Sequence, residues 1–499
     1  MFEVWQSDLA ARIGSLDTPH GVVETPAFVP VVHPVRQTVS TQFLKKMGFD
    51  LVITNAYIAL RHYGDEARKR GIHDIINYDG AIMTDSGGYQ VLEYGSVEVQ
   101  PVMMAHFEKD IKSDIAITLD RPTGYGLDHE KAKEYVAITL KNAQETLYVI
   151  GNTDAIWVAP VQGAEHCDLV EHSARELDRM GFQLMALGSP VEPMEAYEFA
   201  TLARMIVSAK KVVPAKPIHL FGAGHPLTIP LAIALGCDTF DSASYMLYAK
   251  DNRYMTPNGT IPLDELAYLS CQCPVCSSYT VQELCKMEMD HRTVEIAKHN
   301  LHILKSEVEG VKQAIMDGRL WEYVMQKARA HPKLMEAARV FKDVEILDDG
   351  TPLFKEKAIF FYDPIDQHRP EAKRFRSAVG RFQSSKKKLI LCPEDEIHPF
   401  YSTKSYKDIV KKLPDAQVCS YSPFLGIIPV EISDVFPASH NLAPRSGYRL
   451  EDYPTFMKSL KEFAGRFEEI VIVAADDFIK QATKAARLNA RLVDDISAL

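Results

Sequence analysis

A (β/α)8 barrel of the TIM type over residues 1–345, followed by one or two small α/β modules, is the architecture that the sequence predicts. Three observations predict it. Eight short apolar runs recur through the first half of the chain, longer amphipathic stretches separate most of them, and nearly every run stops at a polar residue or a glycine turn. Strands alternating with helices build a parallel sheet, and eight such units in roughly 250 residues fit a closed barrel better than an open doubly wound sheet. The open sheet is the competing architecture, because the last run is short.

Taken in order, the expected strands are Phe28 to Val32, Leu51 to Thr54, Ala81 to Thr84, Ile115 to Leu119, Ile156 to Val161, Leu184 to Leu187, Ile218 to Phe221 and Thr239 to Phe240. Expected helices between them include Thr41 to Met47, His129 to Tyr148, Asp168 to Met180 and Pro193 to Ser208. The clearest unit runs from Ile218 to Tyr245. A run closed by Gly222, Ala223 and Gly224 reads as a buried parallel strand, Leu227 to Leu235 as a crossover helix, and the next strand delivers Asp238 and Asp241.

In a barrel of this kind the chemistry sits on the loops after the strands. Here those positions hold His33, Asn55 and Tyr57, then Asp85 and Ser86, Asp120, Gln162, Gly188 and Ser189, Gly222 to Gly224, and Asp241. Any one could be a helix cap or a turn residue, and Asp120 before Arg121-Pro122 suits a capping or pairing role. Their convergence on one mouth is the functional signal. The turn Thr84 to Gln90 is the sharpest: Gly87 and Gly88 admit a close ligand, Asp85 and Ser86 supply an acceptor and a donor, and Tyr89 offers a face for stacking. Asp85 with Asp241 makes the carboxylate pair that glycosidic-bond chemistry requires, one for the anomeric carbon and one for the leaving-group proton. A planar leaving group would lie between Tyr89 and Phe221, with Asp120 and Gln162 reading its edge. Asp238 is assigned a structural role.

Cys271, Cys273 and Cys276 are followed after 22 residues by His299. Three thiolates at one- and two-residue gaps plus a histidine form a closed tetrahedral donor set, which reads as one structural zinc ion in an insertion at 271–299. His291 and His302 compete as the fourth ligand, and Cys285 is assigned to core packing. Eight cysteines in 499 residues are too few and too unevenly spaced for a disulfide framework.

Residues 303–342 read as helical, and Asp348 to Pro352 as a domain boundary. Beyond it, strands are expected at Lys388 to Cys392, Val418 to Ser420, Phe424 to Val430 and Ile470 to Ala474, with helices at Tyr406 to Leu413, Asp452 to Phe467 and Asp477 to Arg491. The pattern divides into modules at 351–426 and 427–499, assigned to binding rather than chemistry. Residues 351–499 carry 23 Lys and Arg against 20 Asp and Glu, whereas residues 1–350 carry 33 against 47, so a net charge of −11 hides an asymmetry. The basic concentration at Arg369, Lys373, Arg374, Arg376, Arg381 and Lys386 to Lys388 could dock a phosphate backbone; the plainer reading is a solvated linker. No run approaches the roughly 18 apolar residues of a membrane span, and MFEVWQSDLAARIG lacks the pattern of a signal peptide, so a cytoplasmic protein is expected.

These pieces together resemble the tRNA-guanine transglycosylases, and among them the archaeal type. The resemblance is carried by TDSGGYQVLEYG at 84–95, ITLDRPT at 117–123, VQG at 161–163, ALGSPVE at 186–192, HLFGAGHP at 219–226, DTFDSASY at 238–245, CQCPVC at 271–276 and AKHNL at 297–301. It implies a (β/α)8 barrel with a structural zinc, and exchange of a guanine in tRNA for a 7-deazaguanine without breaking the phosphate backbone. By the same resemblance Asp241 is the nucleophile and Asp85 the general acid and base. Ser86, Asp120, Gln162 and the backbone of Gly188 and Ser189 read the base edge, Tyr89 and Phe221 stack on it, and Cys271, Cys273, Cys276 and His299 hold the metal. The extra residues after the barrel point to insertion of 7-cyano-7-deazaguanine at position 15, in the dihydrouridine loop, as the first step towards archaeosine. A homodimer is implied. The β-rich PUA domain that usually closes the archaeal pattern has no counterpart in the final stretch, which reads as helical; it is then a separate polypeptide, or the protein works without one. The rivals are the paralogous archaeosine synthase and a non-catalytic tRNA-binding subunit, both disfavoured by the intact aspartate pair, and a glycoside hydrolase, disfavoured by the groups suited to a nucleobase.

Overall fold

The computed structural model describes residues 2–88, 100–151, 153–395 and 397–499. The chain forms two compact units, the first made of residues 1–340 with 344–350 and the second of residues 341–343 with 351–499.

The first unit opens with a three-stranded antiparallel sheet, β1 (Phe2–Asp8), β2 (Ala11–Thr18) and β3 (Gly21–Thr25). Eight parallel strands follow: β4 (Ala27–Pro30), β5 (Leu51–Asn55), β6 (Ala81–Asp85), β7 (Ile115–Ile117), β8 (Ile156–Val161), β9 (Leu184–Leu187), β10 (Ile218–Leu220) and β11 (Thr239–Ser242). Their order is β4-β11-β10-β9-β8-β7-β6-β5, and a parallel bridge from Val31 to Ile53 joins the two ends. The closed (β/α)8 barrel is therefore the fold, and the open sheet is set aside. All eight expected strands are present, displaced by no more than two or three residues at their ends.

Side chains in a strand alternate between faces, and in this barrel the inward set changes character from bottom to top. Leu51, Ile53, Ala81, Met83, Ile115, Ile117, Ile156, Val158, Leu184 and Ala186 fill the interior, and Leu16 and Val23 of the amino-terminal sheet join the same core. Each buried Leu, Ile, Val or Met among them is worth about 1.5–3 kcal/mol. Continuing in steps of two, the same face of β5, β6, β8 and β11 arrives at Asn55, Asp85, Gln162 and Asp241. The mouth is polar because the inward face of those strands runs out of apolar residues at their carboxyl ends.

The amino-terminal sheet went unpredicted, as did the hairpin of β12 (Arg253–Thr256) and β13 (Gly259–Pro262). Both are short and partly solvated, so their apolar content is too low to mark a run. The helix expected at Pro193 to Ser208 is two helices, Val191–Glu195 and Phe199–Val212, parted at Tyr197, whose φ is +58°. The helical region expected at 303–342 begins earlier, with Met289–Met316, and continues as Leu320–Ala328 and Pro332–Ala338. Among the described residues no helix is long and apolar enough to cross a membrane.

The second unit has a two-stranded pairing of β14 (Ile359–Phe360) with β18 (Asn441–Leu442). Its main sheet has the order β17-β16-β15-β19-β20, from β15 (Lys388–Pro393), β16 (Ala416–Ser422), β17 (Gly426–Pro429), β19 (Glu469–Val473) and β20 (Ala490–Val493), with β17 alone antiparallel. Strands from both sides of residue 426 share this sheet. Helices bury Phe375, Phe456, Phe463 and Phe478 on one face of it, and Phe400 and Ile409 lie in the core of the other. The division expected at 426–427 thus falls inside one continuous hydrogen-bonded sheet, because β15 pairs on one side with β16 and on the other with β19. The last expected helix also ends early, at Ala486; Arg487 adopts φ +54° and the chain returns as β20, parallel to β19.

Candidate active site

Asp85 ends β6, where Asn55 Nδ2 donates to Oδ2 at 2.9 Å and the Gly87 N–H donates to Oδ1 at 3.3 Å. Burial pushes its carboxyl up to about 6, and the negative charge of Asp241 adds to the effect against these two donors. A carboxyl raised this far can exchange a proton close to neutral pH. Ser86 is fully buried, and its hydroxyl has no hydrogen-bond partner among the described residues. An orphaned buried hydroxyl at the mouth of a barrel is a place for a ligand atom. Tyr89 lies outside the described residues.

Asp120, Gln162 and Ser189 form one interlocked array. Gln162, buried at the end of β8, donates through Nε2 to Asp120 Oδ2 at 2.5 Å. Its Oε1 accepts from Thr123 N at 3.0 Å, Thr123 Oγ1 at 2.6 Å and Ser189 Oγ at 3.0 Å. That pattern fixes the amide orientation, since an oxygen accepts and an NH2 donates. Burial raises the Asp120 carboxyl to about 7, and the charge of Asp85 pushes the same way. A Cβ at Gly188 would overlap the Gln162 amide, and one at Gly88 would overlap Asp120, so both glycines are required by close approach. The Gly188 N–H is already spent on Val161 O at 2.9 Å and offers a ligand nothing. Ser189 sits at φ +56°, a conformation most side chains avoid, where its hydroxyl also accepts from Gly124 N at 3.1 Å.

Asp241 stands on β11 with its side chain 13% exposed. Its Oδ1 accepts from Gly222 N at 3.1 Å and lies 3.1 Å from Nε2 of His219. Phe221 packs against the barrel core and presents its ring edge-on to His219, with centroids 5.1 Å apart. Sequence reasoning passed over His219 and Thr123. Asp238, three positions before Asp241, is buried and bound by Arg12 at 2.6 Å and by Ile218 N at 2.9 Å, the structural role expected of it. His33 turns away into a local cap, its Nδ1 taken by the N–H groups of Val35 and Arg36.

Cys271, Cys273, Cys276 and His299 bring one donor atom each to within 4.8 Å of one another, a cluster that could hold one metal ion. The histidine is prepared for it. Nε2 faces Met255 O at 2.8 Å, which places the proton there and leaves Nδ1 turned to the sulfurs of Cys273 and Cys276 at 3.5 and 3.3 Å. Tyr254 stacks on the ring at 3.7 Å. His291 is exposed, and His302 packs edge-on to Phe43, so neither competes. Cys285 is exposed, and its assignment to core packing is corrected.

The basic concentration of the second unit is mostly scaffolding. Arg369 is fully buried on Glu371 at 3.0 Å. Arg374 holds the carbonyls of Thr351 and Pro352, Arg376 those of Gln367 and Phe424, and Lys386 those of Pro414 and Ala416. Lys387 and Lys388 pair with Glu468 at 2.9 Å and Glu469 at 2.7 Å. With their charges already balanced, replacing both by Gln is expected to change the log–log salt slope of any nucleic-acid binding by less than about one unit. Filter binding across salt concentrations reads it, and a drop near two would restore these lysines as phosphate contacts.

A parallel barrel with paired carboxylates at its mouth and a thiol cluster beside it belongs to a known class. Residues 7–333 match the family described as Queuine tRNA-ribosyltransferase, and the chain is a member of that family. Over nearly its whole length it is similar to proteins named tRNA-guanine(15) transglycosylase. That of Sulfolobus acidocaldarius is 38% identical over 488 residues, covering 96% of each chain. That of Methanosarcina barkeri is 37% identical over 506 residues, 99% of this chain and 98% of the relative, and that of Aeropyrum pernix 41% over 462 residues, 90% and 89%.

Proposed function

We propose that this protein exchanges the guanine at position 15 of tRNA for 7-cyano-7-deazaguanine, as a pentosyltransferase working by double displacement. The observation that carries the reading is the carboxylate pair at one barrel mouth, with the Asp85 carboxyl raised by burial to about 6, within reach of either protonation state, and Asp241 oriented by fixed donors. Asp241 attacks C1′ of the ribose as the C1′–N9 bond breaks, and Asp85 protonates the departing guanine. The incoming base gives a proton to Asp85, attacks C1′ through N9, and the ribosyl–aspartate bond breaks. The phosphodiester backbone takes no part. Asp120, the Gln162 amide, the Ser86 hydroxyl and the N–H of Ser189 offer acceptors and donors to a purine edge, and Phe221 offers a face. Fixed polar groups of this kind orient a base more sharply than apolar contact does. The Gly188 N–H is left out of the set because Val161 already holds it.

The test is incorporation of radiolabelled guanine or 7-cyano-7-deazaguanine into tRNA bearing guanine at that position. Label retained in the tRNA supports the exchange, and its absence from every guanine-bearing tRNA would overturn it.

Zinc suits the thiol cluster, because three thiolates and an imidazole fill four tetrahedral positions and leave none for substrate. When bound, the ion ties the 271–276 loop to the long helix carrying His299. Chelation is expected to release one zinc per chain and lower the Tm by on the order of 10 °C. Elemental analysis with scanning calorimetry checks both, and a chain free of zinc with an unshifted Tm would remove the assignment.

A further inference from the structure

We infer that His219 is the positioning residue of the nucleophile: it selects which oxygen of Asp241 attacks and steadies the carboxylate that re-forms when the new base is joined. The inference rests on Asp241 being the nucleophile. His219 lies on β10, wholly buried, in register with Thr239 of β11. Its Nδ1 is 2.9 Å from Thr239 Oγ1 and its Nε2 is 3.1 Å from Asp241 Oδ1. A carboxylate can only accept, so Nε2 carries a proton towards Asp241, and Nδ1 meets the Thr239 hydroxyl, which can donate or accept. The Asp241 carboxylate thus sets the tautomer, the Thr239 hydroxyl anchors the other ring nitrogen, and Phe221 packs against the ring.

The Gly222 N–H donates to the same Oδ1 at 3.1 Å. Gly222 has φ +68°, and a Cβ there would lie 2.5 Å from Val191 Cγ2, so the backbone approach that aims this N–H needs glycine. Both donors converge on Oδ1, and among the described residues no hydrogen bond reaches Oδ2. Oδ2 is therefore the oxygen free to bond to C1′.

The two donors do unequal work in the two half-reactions. In the covalent intermediate Oδ1 is the carbonyl of an ester and carries little charge. When the incoming base attacks C1′, the electron pair of the C1′–Oδ2 bond returns to Asp241 and the proton from N9 goes to Asp85. The returning charge spreads onto Oδ1, where hydrogen bonds to an ionised acceptor are roughly twice as strong as neutral ones. Preorganised donors aimed at developing charge speed the step that develops it. Without the His219 donor, breakdown of the intermediate slows and the intermediate accumulates.

The experiment forms the adduct with tRNA, quenches in denaturant, and follows its chase by excess 7-cyano-7-deazaguanine. His219→Phe, which keeps the ring volume but donates nothing, is expected to chase about tenfold or more slowly and to hold a larger steady-state fraction as adduct. His219→Gln, whose amide nitrogen can replace Nε2, is expected to recover most of the rate. Thr239→Val keeps the imidazole and removes the hydroxyl that anchors Nδ1, and is expected to slow the chase about threefold. If His219→Phe does not fold, Thr239→Val decides alone. Wild-type chase rates in the folded variants would overturn the role of His219 and leave the nucleophile untouched. Absence of any adduct from the wild type would instead overturn the nucleophile reading.

Discussion

Asp241→Asn is expected to trap no covalent adduct with tRNA and to lose guanine exchange by at least about four orders of magnitude, the scale on which removal of a nucleophile is felt. The substitution is nearly isosteric. An asparagine Oδ1 still accepts from Gly222 N and from His219, so the β10–β11 contact survives and the Tm should stay within a few degrees of wild type. The loss would then belong to chemistry rather than folding. Denaturing electrophoresis of enzyme mixed with tRNA reads the adduct directly, and an adduct formed by the asparagine variant would move the nucleophile elsewhere.

Asp85→Asn is the second large effect, and it separates activity from stability. Exchange should fall by about two to four orders of magnitude, because neither protonation of the leaving base nor deprotonation of the incoming one has a substitute. The same change should stabilise the protein at pH 8. Folding raises the Asp85 carboxyl from an ordinary value near 4 to about 6, so the ionised form is disfavoured in the native state. That penalty is absent below pH 4, grows as pH rises between the two values, and is fully present above 6. Removing the charge is therefore worth on the order of 1–2 kcal/mol at pH 8, after allowance for the solvated mouth, and nothing at pH 4. Thermal melts of wild type and variant at both pH values read it. A variant less stable than wild type at pH 8 would show that Asp85 is held by favourable contacts rather than against burial.

The barrel was legible because its strands are buried on both faces and therefore spell unbroken apolar runs ended by turns. Leu184–Leu187 and Ile156–Val161 need no alternation to be seen. The amino-terminal sheet hides for the opposite reason: β1 leaves Glu3, Val4 and Trp5 exposed and offers no clean apolar signal. The strand-end residues Asp85, Gln162 and Asp241 stood out as polar groups where apolar runs stop. His219 did not, since it stands inside Ile-His-Leu and reads as an ordinary core histidine. Counting back two from Phe221 puts it on the inward face, next to Asp241, and that count was the available signal. Charge density misled in the second unit. Nothing in the spacing of Arg369, Arg374 and Arg376 separates a guanidinium that meets phosphate from one that holds its own backbone, because both uses need the same five donors.

The barrel is sealed by contacts between its beginning and its end. β4 pairs with β11, and Arg12 grips Asp238 across a sequence separation of 226 residues. Pairings so distant must wait until the chain has been made as far as Ser242, and closure of a long loop is entropically the slow part of folding. The strand that arrives last is also the one that carries Asp241. A half-made chain would hold Asp85, Asp120 and Gln162 but lack Asp241, so, with Asp241 as the proposed nucleophile, ribosome-bound intermediates should be unreactive towards tRNA until the final strand locks home.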